Sequence, residues 1–146
     1  MLQALQESLG LESELVFKAA SYMSGGVAGT GNLCGALTGG IMFLGMKYGR
    51  ANPRYGAVRE SSGPALKLVK WFEREYGTTI CRELVGVTNM LDREERAKFH
   101  VSEAHKRCFR RSGEVAAKVF EIISNQGSRQ VSFDEALDEL EAEGLL

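Results

Sequence analysis

Three cysteines, a histidine and a run of glycines carry the chemistry this sequence can do. Cys34 lies in GTGNLCGALTGGIMFLGMKYG, residues 29–49, which holds seven glycines. Cys81 lies in TTICRELVG, and Cys108 in AHKRCFRR three residues after His105. A cysteine attacks, ligates a metal or exchanges disulfides as its thiolate, which is favoured at a helix N-terminus or beside cationic side chains. Cys34 falls at the predicted first turn of one helix, and Cys81 follows Thr78, Thr79 and Ile80 at the start of another. Arg107, Arg110 and Arg111 flank Cys108 and would favour its thiolate. His105 shares a helix face with Cys108, as residues three apart do, and is a candidate base or ligand. His100, five residues earlier, is predicted to point elsewhere. Against each functional reading stands a plain one: a cysteine on an apolar helix is a small buried hydrophobe, and such a histidine is structural. No CxxC, CxxCH or paired CxxC motif occurs, so neither a c-type haem site nor a zinc ribbon is encoded.

The glycines need a reason, because each costs up to about 1 kcal/mol against alanine inside a helix. Gly31, Gly35 and Gly39 recur every four positions and make a stripe without side chains. Another helix, a cofactor or a substrate can lie against bare backbone there. The loop before the helix has no Gly-Lys-Ser/Thr and follows a helix rather than a strand. It is therefore read neither as a P-loop nor as a dinucleotide fingerprint.

Helical periodicity supplies the elements that position these residues. One helix is predicted near 12–23 and a second over 33–48, with Gly49 as its stop. Val58, Ala65, Leu68, Val69 and Phe72 read as one face of a third, with Pro64 near its first turn and Gly77 as its end. ANPRYG is the connector between these two. A short helix surrounds Cys81, and Asp92–Phe99 is another. The longest spans about 101–125, with Val101, Ala104, Cys108, Ser112, Val115, Val119 and Ile122 along one stripe. A last acidic helix opens on a Ser132/Glu135 capping box. No segment alternates at period two. The expectation is an all-α chain, a single helical bundle of about five to seven helices.

The 146 residues suffice for one domain, and 44% apolar with 25% charged content reads as globular. A net charge of −1 argues against nucleic-acid binding. Charge is uneven: four cations lie within residues 106–111 and six acids within 134–143. The two segments are read as solvated faces that pair with each other. The acidic helix has no other evident internal partner, which also raises a homodimer. No apolar run reaches the 18 or so residues of a membrane span, and residues 1–11 do not read as a signal peptide. The expected location is cytoplasmic, where thiols stay reduced. An odd cysteine count agrees with that. The neighbouring carboxylates Glu94 and Glu95 sit in an exposed charge run and make no hydrolytic pair.

CGALTGGIMFLGMKYGR, then FEREYGTTICRELVG, then Cys108 on a late helix resemble the redox-active C_GCAxxG_C_C family. The matching residues are Cys34, Gly35, Ala36 and Gly39, the Lys47-Tyr48-Gly49 ending, and Cys81 in its Ile-Cys-Arg-Glu-Leu setting. The family label quotes Gly-Cys-Ala where this chain reads Cys34-Gly35-Ala36. Its first cysteine is expected upstream of Leu9-Gly10-Leu11, before Met1, and this chain lacks it. The resemblance spans most of residues 1–126, and 127–146 is read as an acidic helical extension.

The resemblance implies that Cys34, Cys81 and Cys108 converge on one redox site; the spacing of Gly31, Gly35 and Gly39 offers a cofactor-binding face beside it. It names a redox role without naming a reaction or a redox partner. Thiol/disulfide exchange, electron transfer, and a metal ion or iron-sulfur cluster on Cys34, Cys81, Cys108 and His105 all remain open. The competing reading is a non-enzymatic helical oligomerisation or binding module with structural cysteines.

Overall fold

The computed structural model describes residues 1–52 and 58–146. The described residues form eight α-helices and no strand. They are α1 (Leu2–Leu9), α2 (Glu14–Ala20), α3 (Gly35–Tyr48), α4 (Gly63–Tyr76), α5 (Cys81–Val85), α6 (Arg93–His100), α7 (Glu103–Gln126) and α8 (Phe133–Ala142). The all-α expectation holds, with one helix more than the upper count. The addition is α1, whose apolar residues are diluted by Gln, Glu and Ser. Its Leu2 and Leu5 are nonetheless buried, three positions apart on one face.

Local signals set most of the ends. Asp92 accepts from the backbone of Glu94 and Glu95 to start α6, and Ser132 with Glu135 closes the capping box of α8. Pro64 sits in the first turn of α4, and Gly77 ends it at φ 73°. Val58 does not belong to α4: it opens a short 3-10 turn, Val58–Glu60, and is exposed. Most of the ANPRYG connector lies outside the described residues. Val101 follows α6 and is 87% exposed, so the apolar stripe of the long helix begins later than its periodicity suggested.

The core is built where α3 packs on α1, α4 and α7. Leu5, Leu37, Phe43, Leu68, Phe72, Val115 and Val119 are fully enclosed there. Gly40 permits the closest approach, since a Cβ on it would lie 2.8 Å from Leu68 Cδ2 and 3.0 Å from Val115 Cγ1. A second, smaller cluster of Val85, Met90 and Phe99 joins α5, α6 and the start of α7.

The acidic helix α8 packs on α4. Its acids pair with Arg59 (Asp134, 2.5 Å), with Lys67 (Glu139) and with Arg129 (Glu135, 2.8 Å). The 106–111 segment is not its partner; Lys106 instead pairs with Glu103 on its own helix at 2.6 Å. The acidic helix therefore finds its cations within the chain, and the charge argument for a homodimer lapses. Among the described residues no helix is long and apolar enough to cross a membrane.

Candidate functional site: a cavity lined by three thiols

Two short stretches bring Cys34 and Cys81 together. Leu33 and Ile80 form an isolated antiparallel bridge. Around it Cys34 N donates to Thr79 O (2.9 Å), Cys81 N to Asn32 O (2.6 Å) and Arg82 N to Gly31 O (2.9 Å). Residues directly opposite in such a pair share a face, and so do residues two apart on one strand. Cys34 and Cys81 therefore lie on the same face as diagonal neighbours. Each then begins a helix: Cys34 is the N-cap of α3 and Cys81 the first residue of α5. Both are buried.

Cys108 reaches the same place from α7. Cys34, Cys81 and Cys108 line one cavity of about 560 Å³, and all three are free thiols. Its other walls are mostly apolar and include Met23, Val85, Met90 and Phe99. Gly35 and Gly39 line it as well, whereas Gly31 does not. The glycine stripe does meet close neighbours, but they are not a second long helix. A Cβ on Gly35 would lie 2.7 Å from Met23 O, and one on Gly39 would lie 2.6 Å from Met1 Cε. Gly31, at φ 76°, lies against Met90 and Arg82.

The wall next to Cys81 is a backbone turn with unusual dihedrals. Gly25, Gly26, Val27, Ala28 and Gly29 all have φ between 52° and 75°. Val27 N bonds Met23 O (3.3 Å) and Gly31 N bonds Gly25 O (2.9 Å) across it. Gly26 is buried against the cysteine, and a Cβ there would lie 2.7 Å from Cys81 Cβ and 2.6 Å from Asn32 N.

The thiols do not have the electrostatics that sequence neighbours suggested. Burial pushes the Cys81 thiol up to about 11, Cys34 and Cys108 add to this, and only Arg111 opposes it. Cys108 is raised too, by burial first and then by Cys34, again against Arg111. Desolvation outweighs both a five-residue helix and a single guanidinium. The expectation of stabilised thiolates at Cys81 and Cys108 is thus corrected: both rest as thiols near neutral pH. Arg107 and Arg110 are exposed and act on neither.

His105 lines the cavity, and so does His100, contrary to the expectation that it points elsewhere. The two rings lie 5.0 Å apart, and Phe99 and Phe109 lie tilted against His105 at 5.0 and 4.8 Å. His105 Nδ1 lies 2.9 Å from His100 O. A carbonyl only accepts, so Nδ1 is the donor of this bond, and in the neutral ring Nε2 is then the acceptor nitrogen. The four-ligand set of Cys34, Cys81, Cys108 and His105 is not assembled as a metal cage. Among the described residues no group of three or more His, Cys, Asp or Glu side chains is placed to hold a metal ion.

An all-helical fold with three thiols on one cavity defines a small cysteine-site protein. The family model described as "Putative redox-active protein (C_GCAxxG_C_C)" matches residues 1–122, so the chain belongs to the C_GCAxxG_C_C family. No curated protein and no solved structure matches it.

Proposed function

We infer that the chain is a thiol redox protein in which Cys34, Cys81 and Cys108 act as one site. A single observation carries this reading: cysteines 47 and 27 positions apart in sequence line the same cavity. Family membership supports the redox role. In the simplest step Cys34 and Cys81 lose their two thiol protons and form one S–S bond. Two electrons pass to a disulfide-bearing acceptor, which is reduced to two thiols. Cys108 can then resolve or reshuffle that bond, with His105 Nε2 as the acceptor of its proton. Such chemistry suits a reducing, cytoplasmic setting, in which the three thiols are recharged between turnovers. We read residues 127–146 as an addition to the redox unit, since the family match ends at residue 122 and α8 docks on α4, neither of which lines the thiol cavity.

The test is disulfide mapping by mass spectrometry after equilibration of the full chain in dithiol/disulfide buffers of graded potential. The expected outcome is a two-electron transition that consumes two of the three thiols and links Cys34 to Cys81. Survival of all three thiols at every potential, or links between chains alone, would sink the reading.

A further inference from the structure

We propose that the thiol cavity is also an anion site, in which Arg111 holds a small organic monoanion, a carboxylate on a short apolar body, beside the three sulfurs. Arg111 lines the cavity from α7 and is only 7% exposed. Among the described residues no carboxylate lies within ion-pair distance of it. Its Nε–H is buried and has no acceptor. Its Nη2 reaches only Leu84 O, at 3.5 Å, and its guanidinium lies 5.0 Å over the Tyr76 ring. Glu114, the carboxylate at that ring, accepts from Tyr76 Oη at 2.7 Å instead. A buried charge needs a counter-charge, and a buried N–H needs an acceptor. This guanidinium has no counter-charge from the protein, and its Nε–H has no acceptor.

Cys81 and Cys108 do not supply the missing charge, because burial keeps both protonated near neutral pH. The remaining walls define the ligand. One cation balances one negative charge, and the planar fork of arginine matches a carboxylate. Met23, Val85, Met90 and Phe99 line the same cavity. Those side chains suit an apolar body, whose carboxylate end would sit at Arg111 and whose other end would reach the sulfurs. The inference rests on the redox reading only in placing that ligand beside reactive thiols; the charge argument stands without it.

The direct test follows the Arg111 Nε–H resonance of the reduced, ¹⁵N-labelled full chain during titration with propionate, and in parallel with propionamide. A saturable shift with propionate alone is expected. No saturable shift, or equal responses to acid and amide, would overturn the proposal. A second arm compares alkylation of the cavity cysteines by iodoacetate and iodoacetamide, each forming a C–S bond with loss of iodide. The acid-over-amide rate ratio should rise about tenfold or more relative to the urea-unfolded chain, as docking on a buried cation implies. Arg111→Met should abolish that gain and Arg111→Lys should keep part of it. An unchanged ratio in Arg111→Met would count against the site. If that variant does not fold, the wild-type resonance decides. A propionate shift without a disulfide couple would refute only the redox reading, and a couple without the shift only the anion site.

Discussion

The two ends of α4 face different problems. On one side α8 lies across the helix surface, held by Leu140 and Ala136 and by ion pairs at its rim. Asp134, Glu139 and Glu135 there each meet a cation close by, and the charges are exposed or half-exposed. On the other side a bridge of two short segments holds thiols and an arginine out of water. There the polar groups are few, buried and incompletely matched. The first arrangement is redundant, since no single contact decides it. The second depends on close backbone approach at particular atoms, so small changes should have larger and more local effects.

The comparison breaks most sharply at Gly26. A methyl there would strike Asn32 N and Cys81 Cβ at a residue with φ 72°. Gly26→Ala should cost roughly 3 kcal/mol, combining overpacking with left-handed strain. It should also separate Cys34 from Cys81. Thermal unfolding measures the first effect, and the yield of the mapped disulfide the second. A tolerated Gly26→Ala with unchanged disulfide yield would mean that the bridge is as forgiving as the α8 face.

Cys81 gives the next largest effect. With its thiol pushed up to about 11 from an ordinary value near 9, its thiolate at pH 8 is about a hundredfold scarcer than in the unfolded chain. Alkylation by iodoacetamide should be slowed to match, with a midpoint near pH 11. The sign for stability follows. The folded state keeps a proton that the unfolded state releases first, so this contribution is complete below about pH 9 and is lost as pH rises towards 11. Cys81→Ala should flatten the decline between those values. A midpoint near 9 in the folded chain would show that the cavity is wet.

On the α8 side, Leu140→Ala should cost about 2 kcal/mol through a partly collapsible cavity at the helix interface. The alkylation profile of the three cysteines should not move. Ser132→Ala, which opens the capping box, should cost about 1 kcal/mol. Denaturant unfolding measures both, and a change in thiol reactivity with either would show that the two regions are coupled.

Legibility in the sequence divides along the same line. Helix ends at Asp92, Gly77 and Ser132 are local events, decided by a side chain or a φ within a few residues, and the sequence displays them directly. The glycines announced close contact, but not with what: Gly40, outside the predicted stripe, is where helices meet, while Gly35 meets the loop at Met23. Neighbouring arginines suggested reactive thiolates, yet Arg107 and Arg110 turn to solvent and burial sets the outcome. Arg111, the cation that matters, looked like one of three. Its position on the inward face of α7 follows from Val115 and Val119, four and eight residues later, and that spacing was the available signal.

The turn from Gly25 to Gly29 gives the cavity wall the opposite hand to the helices around it. Substitution rules therefore invert along it. Within α3 a glycine is a cost that close packing must offset. At Val27 and Ala28, with φ of 63° and 52°, it is the side chain that is the cost. A mirror-image residue would fit there without strain, so D-alanine at position 28 in a semisynthetic chain should stabilise the fold where the same exchange inside a helix should cost about 1–2 kcal/mol.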